Sequence, residues 1–74
     1  MTPEQAFGII LKELRTSSGL SQEKLAFACG LDRTFISMLE RGKRQPSLTS
    51  ILILAKALSI PADKMVLKTM TLLR

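Results

Sequence analysis

The chain has 74 residues, 46% of them apolar and 23% charged, the balance of a globular domain and not of a disordered segment. A domain of this size hides only about 60% of its unfolded surface, so the core is small, and two domains, a barrel enzyme or a full dinucleotide-binding fold are excluded. Eleven Lys and Arg against six Asp and Glu give a net charge of +5, which favours an anionic partner.

Function classes narrow further by what is missing. There is no histidine, tyrosine or tryptophan, so the commonest general base and metal ligand is absent. The single Cys29 forms neither an internal disulfide nor a zinc cage. Its expected role is that of a small buried hydrophobe. An enzyme, a metal centre and a bound cofactor are therefore not expected. The longest strictly apolar run, Ile51 to Ala55, is far short of the roughly 20 residues that span a bilayer. Met1-Thr2-Pro3-Glu4 lacks the basic start of a signal peptide. The expected location is a reducing cytoplasm.

Taken in chain order, five helices are predicted. Thr2 is a plausible N-cap, Pro3 suits the first helical position, and Gln5 sits where a capping box needs Glu or Gln. Phe7, Ile10, Leu11 and Leu14 recur at helical spacing, and Ser18-Gly19 ends the helix near Ser17. Ser21 caps a second helix from Gln22 to about Ala28 that buries Leu25 and Ala26. Asp32 caps a third, Arg33 to Arg41, with Ile36 and Leu39 inward and Gly42 as its stop. After the linker Lys43-Arg44-Gln45-Pro46, Ser47 caps a fourth helix, Leu48 to Leu58, apolar on most of its circumference. Pro61 opens a fifth, from Ala62 to about Leu67. The division expected is a domain of residues 1–67 and a C-terminal tail of residues 68–74. In that tail the alternation of Met70 and Leu72 with threonines suits a strand, and a continuing helix suits it as well.

The informative stretch is Ser21 to Gly42. Two short helices are joined by Cys29-Gly30-Leu31; Ala26 is small enough for a close crossing, and Gly30 permits a tight turn. This is the recipe of a helix-turn-helix over about residues 21–41, whose second helix can enter a major groove. On that helix residues 33, 34, 37 and 38 form one face, opposite Ile36 and Leu39.

Leu20-Ser21-Gln22-Glu23-Lys24-Leu25-Ala26, Gly30-Leu31, Ile36-Ser37, Leu39-Glu40-Arg41-Gly42-Lys43-Arg44 and Pro46-Ser47-Leu48 together resemble the Cro/C1-type (XRE) helix-turn-helix family. The likeness covers about residues 8 to 67 with unbroken spacing. The run Asp32-Arg33-Thr34-Phe35-Ile36-Ser37 is most similar to restriction–modification controller proteins and related phage repressors. The resemblance implies an all-α, lambda-repressor-like five-helix bundle that binds double-stranded DNA as a homodimer. It implies that Arg33, Thr34, Ser37 and Met38 face base edges, that Gln22 anchors to backbone phosphate, and that Arg15 and Glu40 form an ion pair.

Residue chemistry agrees with those roles. A guanidinium at position 33 can make a bidentate contact to guanine, with a phosphate contact as the alternative. Thr34 and Ser37 can bond bases or phosphate, and Met38 can touch a thymine methyl or fill space. Arg41, Lys43 and Arg44 form the densest basic run, and with Gln45 and Ser47 they are the expected phosphate contacts. Phe35 is expected at the core margin. Residues 1–40 hold four basic and five acidic side chains, whereas residues 41–74 hold seven basic ones against Asp63 alone.

The fourth helix carries more apolar groups than one face can bury. Leu48, Leu52, Ala55 and Leu58 are the expected inward stripe. Ile53, Leu54, Met65, Leu67, Met70 and Leu72 are the expected two-fold contact, since contiguous exposed apolar surface marks interfaces. The alternative occupant of that surface is a partner protein, as in an antitoxin that also regulates its own operon. With no effector domain among these residues, control is expected to come from protein concentration. Repression and activation remain equally open.

Overall fold

The chain folds into α1 (Pro3–Ser17), α2 (Gln22–Cys29), α3 (Arg33–Glu40), α4 (Leu48–Ala57) and α5 (Ala62–Leu72), with no strand. The structure, a computed structural model, describes residues 1–74. Local side-chain chemistry starts four of the five helices. The Thr2 hydroxyl accepts from the Gln5 N–H at 3.1 Å, and the Gln5 amide oxygen accepts from the Thr2 N–H at 2.9 Å, a reciprocal capping box. Ser21, Asp32 and Ser47 accept in the same manner from the backbone N–H of Lys24, Thr34 and Ser50. Each cap satisfies a donor that the first helical turn leaves without a partner. Proline at position 61 precedes α5, which has no side-chain cap.

One core joins all five helices. Phe7, Ile10 and Leu11 of α1 meet Leu25 and Ala26 of α2, Ile36 and Leu39 of α3, Leu54 and Ala55 of α4, Leu58 just beyond it, and Met65 of α5. α3 packs against both α1 and α2, while α5 packs against α1 and α4. Ala26 is buried at the α2–α3 crossing, and Gly30 takes φ +66°, so that the Leu31 N–H reaches the Ala26 carbonyl at 2.9 Å. These two small residues set the angle at which α3 leaves α2. Cys29 is half-buried, and burial pushes its thiol pKa up.

Three expectations are corrected by the packing. α4 turns Leu54, Ala55 and Leu58 inward with Ile51 half-buried beside them, whereas Leu48 and Leu52 are exposed. Residues 51, 54, 55 and 58 form one helical face as well as the expected stripe does, and the partners on α2 and α5 decide between them. Leu54 and Met65, expected at an interface, are fully buried in this core. The expected tail is not a separate segment, because α5 runs unbroken to Leu72. Within it Thr69 and Thr71 donate their hydroxyls to the carbonyls of Met65 and Leu67, each at 3.0 Å. No helix is long and apolar enough to cross a membrane.

Gly8 fixes how closely α1 approaches the end of α3. A Cβ there would stand 2.4 Å from the Leu39 carbonyl oxygen and 2.7 Å from that of Glu40. Alanine favours a helix over glycine by about 1 kcal/mol. Gly8→Ala is nevertheless expected to lower the midpoint of thermal unfolding, because α3 must shift away from α1; an unchanged or higher midpoint would show that this approach is not tight.

Candidate nucleic-acid interface

α3 is gripped on one side and open on the other. Ile36 and Leu39 are fully buried, and on the opposite face Arg33 and Thr34 are exposed while Ser37 and Met38 are half-buried. These four side chains, expected from the sequence to share a face, are brought together on one. Asp32 at the helix start accepts the Thr34 N–H at 2.7 Å, which orients the first turn that carries Arg33 and Thr34.

The inner edge of α3 is held by charge. Arg15 of α1 forks onto Glu40, with Nε to Oε2 at 2.6 Å and Nη2 to Oε1 at 3.1 Å. Its remaining Nη1 donates to the Leu20 carbonyl at 2.8 Å. The Arg15 side chain is 11% exposed and that of Glu40 only 3% exposed, so the expected ion pair is a buried one. The Glu40 carboxylate, by hydrogen bond and charge, raises the Arg15 pKa above its already high ordinary value. Arg15 therefore stays protonated at any pH at which the protein is folded.

Gln22 is more committed than its expected phosphate role required. Its Nε2 donates to Glu40 Oε1 at 3.0 Å, and its Oε1 accepts from Arg33 Nη1 at 3.3 Å. One amide hydrogen thus remains for a phosphate. The result is a continuous chain, Arg15–Glu40–Gln22–Arg33, from the interior to the open face of α3. Sequence reading missed the Glu40–Gln22 and Gln22–Arg33 links, since partners 18 and 11 residues apart carry no local signal.

The loop after α3 supplies the positive charge. Arg41, Lys43, Arg44 and Gln45 are all exposed. Arg41 donates from Nε to the Ser37 carbonyl at 3.3 Å, and the Arg44 guanidinium lies 5.5 Å from the centre of the Phe35 ring. Ser47 is exposed, but its hydroxyl is used locally: it accepts from the Ser50 N–H and donates to Ser50 Oγ, each at 3.0 Å. The Ser47 hydroxyl proton is thereby engaged within the first turn of α4.

The apolar residues divide differently from expectation. Leu67, Met70 and Leu72 are exposed on α5, where Val66 joins them, and Leu73 just beyond the helix is exposed as well. Leu48 and Leu52 of α4 extend this surface, and Leu48, Ile51, Val66, Leu67 and Met70 line a shared groove between the two helices. Ile53 does not belong to it. It is half-buried on the other flank of α4, beside Ala28 and Cys29 of α2.

A helix-turn-helix family model matches residues 11–65, which contain the whole α2–turn–α3 unit and its supports. The chain belongs to the Cro/C1-type helix-turn-helix family. It is accordingly a DNA-binding regulator of transcription. Among relatives, it is 51% identical over 59 residues to the control protein C.BamHI of Bacillus amyloliquefaciens, covering 77% of this chain and 73% of that one. It is 40% identical over 60 residues to the control protein C.MunI of a Mycoplasma species, covering 80% and 81%. The crystal structure of the restriction–modification controller protein C.AhdI from Aeromonas hydrophila superposes with a TM-score of 0.81 at 52% identity, covering 84% of this chain and 94% of that one.

The buried pair generates a sharp expectation. Removing one partner leaves the other charge buried and uncompensated, which typically costs about 3–5 kcal/mol. Arg15→Ala and Glu40→Ala should each destabilise the fold by that order in urea titrations. A loss below about 1 kcal/mol would place the pair with ordinary surface bridges.

Proposed function

We propose that the chain binds a palindromic double-stranded operator as a homodimer and regulates a promoter there, in the manner of a restriction–modification controller or a phage-type repressor. The observation that carries this reading is the open face of α3, with Arg33, Thr34, Ser37 and Met38 together and the basic loop directly beside it. Arg33 reads a guanine through two parallel N–H bonds, releasing Gln22 as it does so. Thr34 and Ser37 offer hydroxyls to base edges or sugar-phosphate, and Met38 offers an apolar contact to a thymine methyl. Arg41, Lys43, Arg44 and Gln45, with the free hydrogen of Gln22, fix the register through phosphates.

The exposed surface of Leu48, Leu52, Leu67 and Met70 supports a two-fold partner. It runs across α4 and α5, where Asp63 is the one charged residue lining their shared groove. Paired through it, two copies of α3 would stand about one DNA turn apart, roughly 34 Å. The chemistry of the proposed site is charge, hydrogen bonding and shape.

Three variants test this reading. Arg33→Ala should lose discrimination at one base pair per half-site, by about 1–3 kcal/mol, in competition binding against single-base variants of the operator. Lys43→Ala should instead weaken binding to every duplex alike and reduce the salt slope by about one contact per protomer. Leu67→Glu should shift sedimentation from dimer to monomer and weaken operator binding with it. Unchanged base preference in a folded, dimeric Arg33→Ala protein would contradict the role given to α3.

A further inference from the structure

The Phe35 ring lies outside both the base-reading face and the core proper. Looking down α3, residue 35 falls between Met38 on the open face and Leu39 in the core. The ring is half-buried and packed against the core, so one side is fixed while the other faces the basic loop. Arg44 occupies that free side, with its Cζ 5.5 Å from the ring centre. This distance lies within the range of cation–π attraction.

The loop brings Arg44 there by short tethers. The Gly42 N–H donates to the Leu39 carbonyl at 3.1 Å, and the Lys43 N–H donates to the Met38 carbonyl at 2.9 Å. Gly42 takes φ +69° and packs so closely on α1 that a Cβ would stand 2.9 Å from Gln5 Cγ. At the other end Pro46 is half-buried and Ser47 caps α4. Arg44 therefore leaves a backbone held on both sides, and its long side chain is the part that remains to be ordered.

How the side chain is ordered matters chemically. Arg15 is held by a carboxylate, which neutralises its charge and uses its N–H donors. Arg44 has no acidic partner. An aromatic face holds a guanidinium through its plane, leaving the full charge and the edge-on N–H groups free. A long flexible arginine otherwise loses rotamer freedom when it binds, which weakens association.

We propose that Phe35 is a positioning residue for DNA binding: its ring pre-orders Arg44 beside α3 so that the guanidinium meets a phosphate already oriented. Phe35 thus contributes to affinity without itself touching DNA. The inference rests on the DNA-binding reading given above, and its test separates the two.

The test is a double-mutant cycle on affinity for a duplex of arbitrary sequence at low ionic strength, using the whole chain. Phe35→Leu should weaken binding about two- to fivefold when Arg44 is present, the range expected of an exposed cation–π contact. In the Arg44→Ala background the same change should have no further effect. Equal losses in both backgrounds, or no loss in either, would overturn the proposal. If Phe35→Leu does not fold, Phe35→Trp carries the test with opposite sign, since indole is the better platform. It should tighten binding only while Arg44 is present, and unchanged affinity would overturn the proposal. Without DNA, the Arg44 Cδ protons should show an upfield ring-current shift in solution NMR. Their absence from that region would also overturn it, whereas a chain with that shift that bound no duplex would refute the DNA-binding reading instead.

Discussion

Glu40, at the end of α3, accepts two bonds from Arg15 of α1 and one from Gln22 of α2. Buried charges are expensive unless paired and hydrogen-bonded, so the carboxylate holds these three helices to one geometry. Gly8 allows it, because only a residue without a side chain lets α1 lie against the carbonyls at the end of α3. Hydrophobic burial drives the bundle together, but a small apolar core tolerates many packings. The ion pair and the glycine contact select one, and with it the orientation of the open face of α3.

From this anchor the working surface is supported on two flanks. On one, the Glu40–Gln22–Arg33 chain holds the first arginine of α3 by a single bond of 3.3 Å, long enough to be exchanged for a stronger bidentate contact. On the other, Phe35 faces Arg44 without consuming any of its donors. Both arginines are oriented while remaining positively charged. Such pre-ordering lowers the entropy lost on association.

Much of this was legible in the sequence because it is local. The caps at Thr2, Ser21, Asp32 and Ser47 are spelled out by adjacent residues, and each start was read within a residue. The helix-turn-helix and the shared face of Arg33, Thr34, Ser37 and Met38 follow from helical period and turn chemistry. α4 was harder. With apolar residues all round, it has no amphipathic signal to say which stripe faces inward, and so Leu54 was misplaced outward and Leu48 and Leu52 inward. The end of α5 stayed open between strand and helix because Thr69 and Thr71, poor helix formers, alternate with apolar neighbours. Their hydroxyls bond back to carbonyls four residues earlier, and the helix continues. Met65 was misplaced for another reason: its inward direction follows from α5 docking on α1, which no local pattern encodes.

The most direct measurement is selection of bound sequences from a random pool of duplex DNA by the purified chain. The expected result is enrichment of an inverted repeat whose half-site centres lie about 10 base pairs apart, with a guanine at one fixed position in each half. Enrichment of a single unrepeated motif, or of none at low ionic strength, would contradict it.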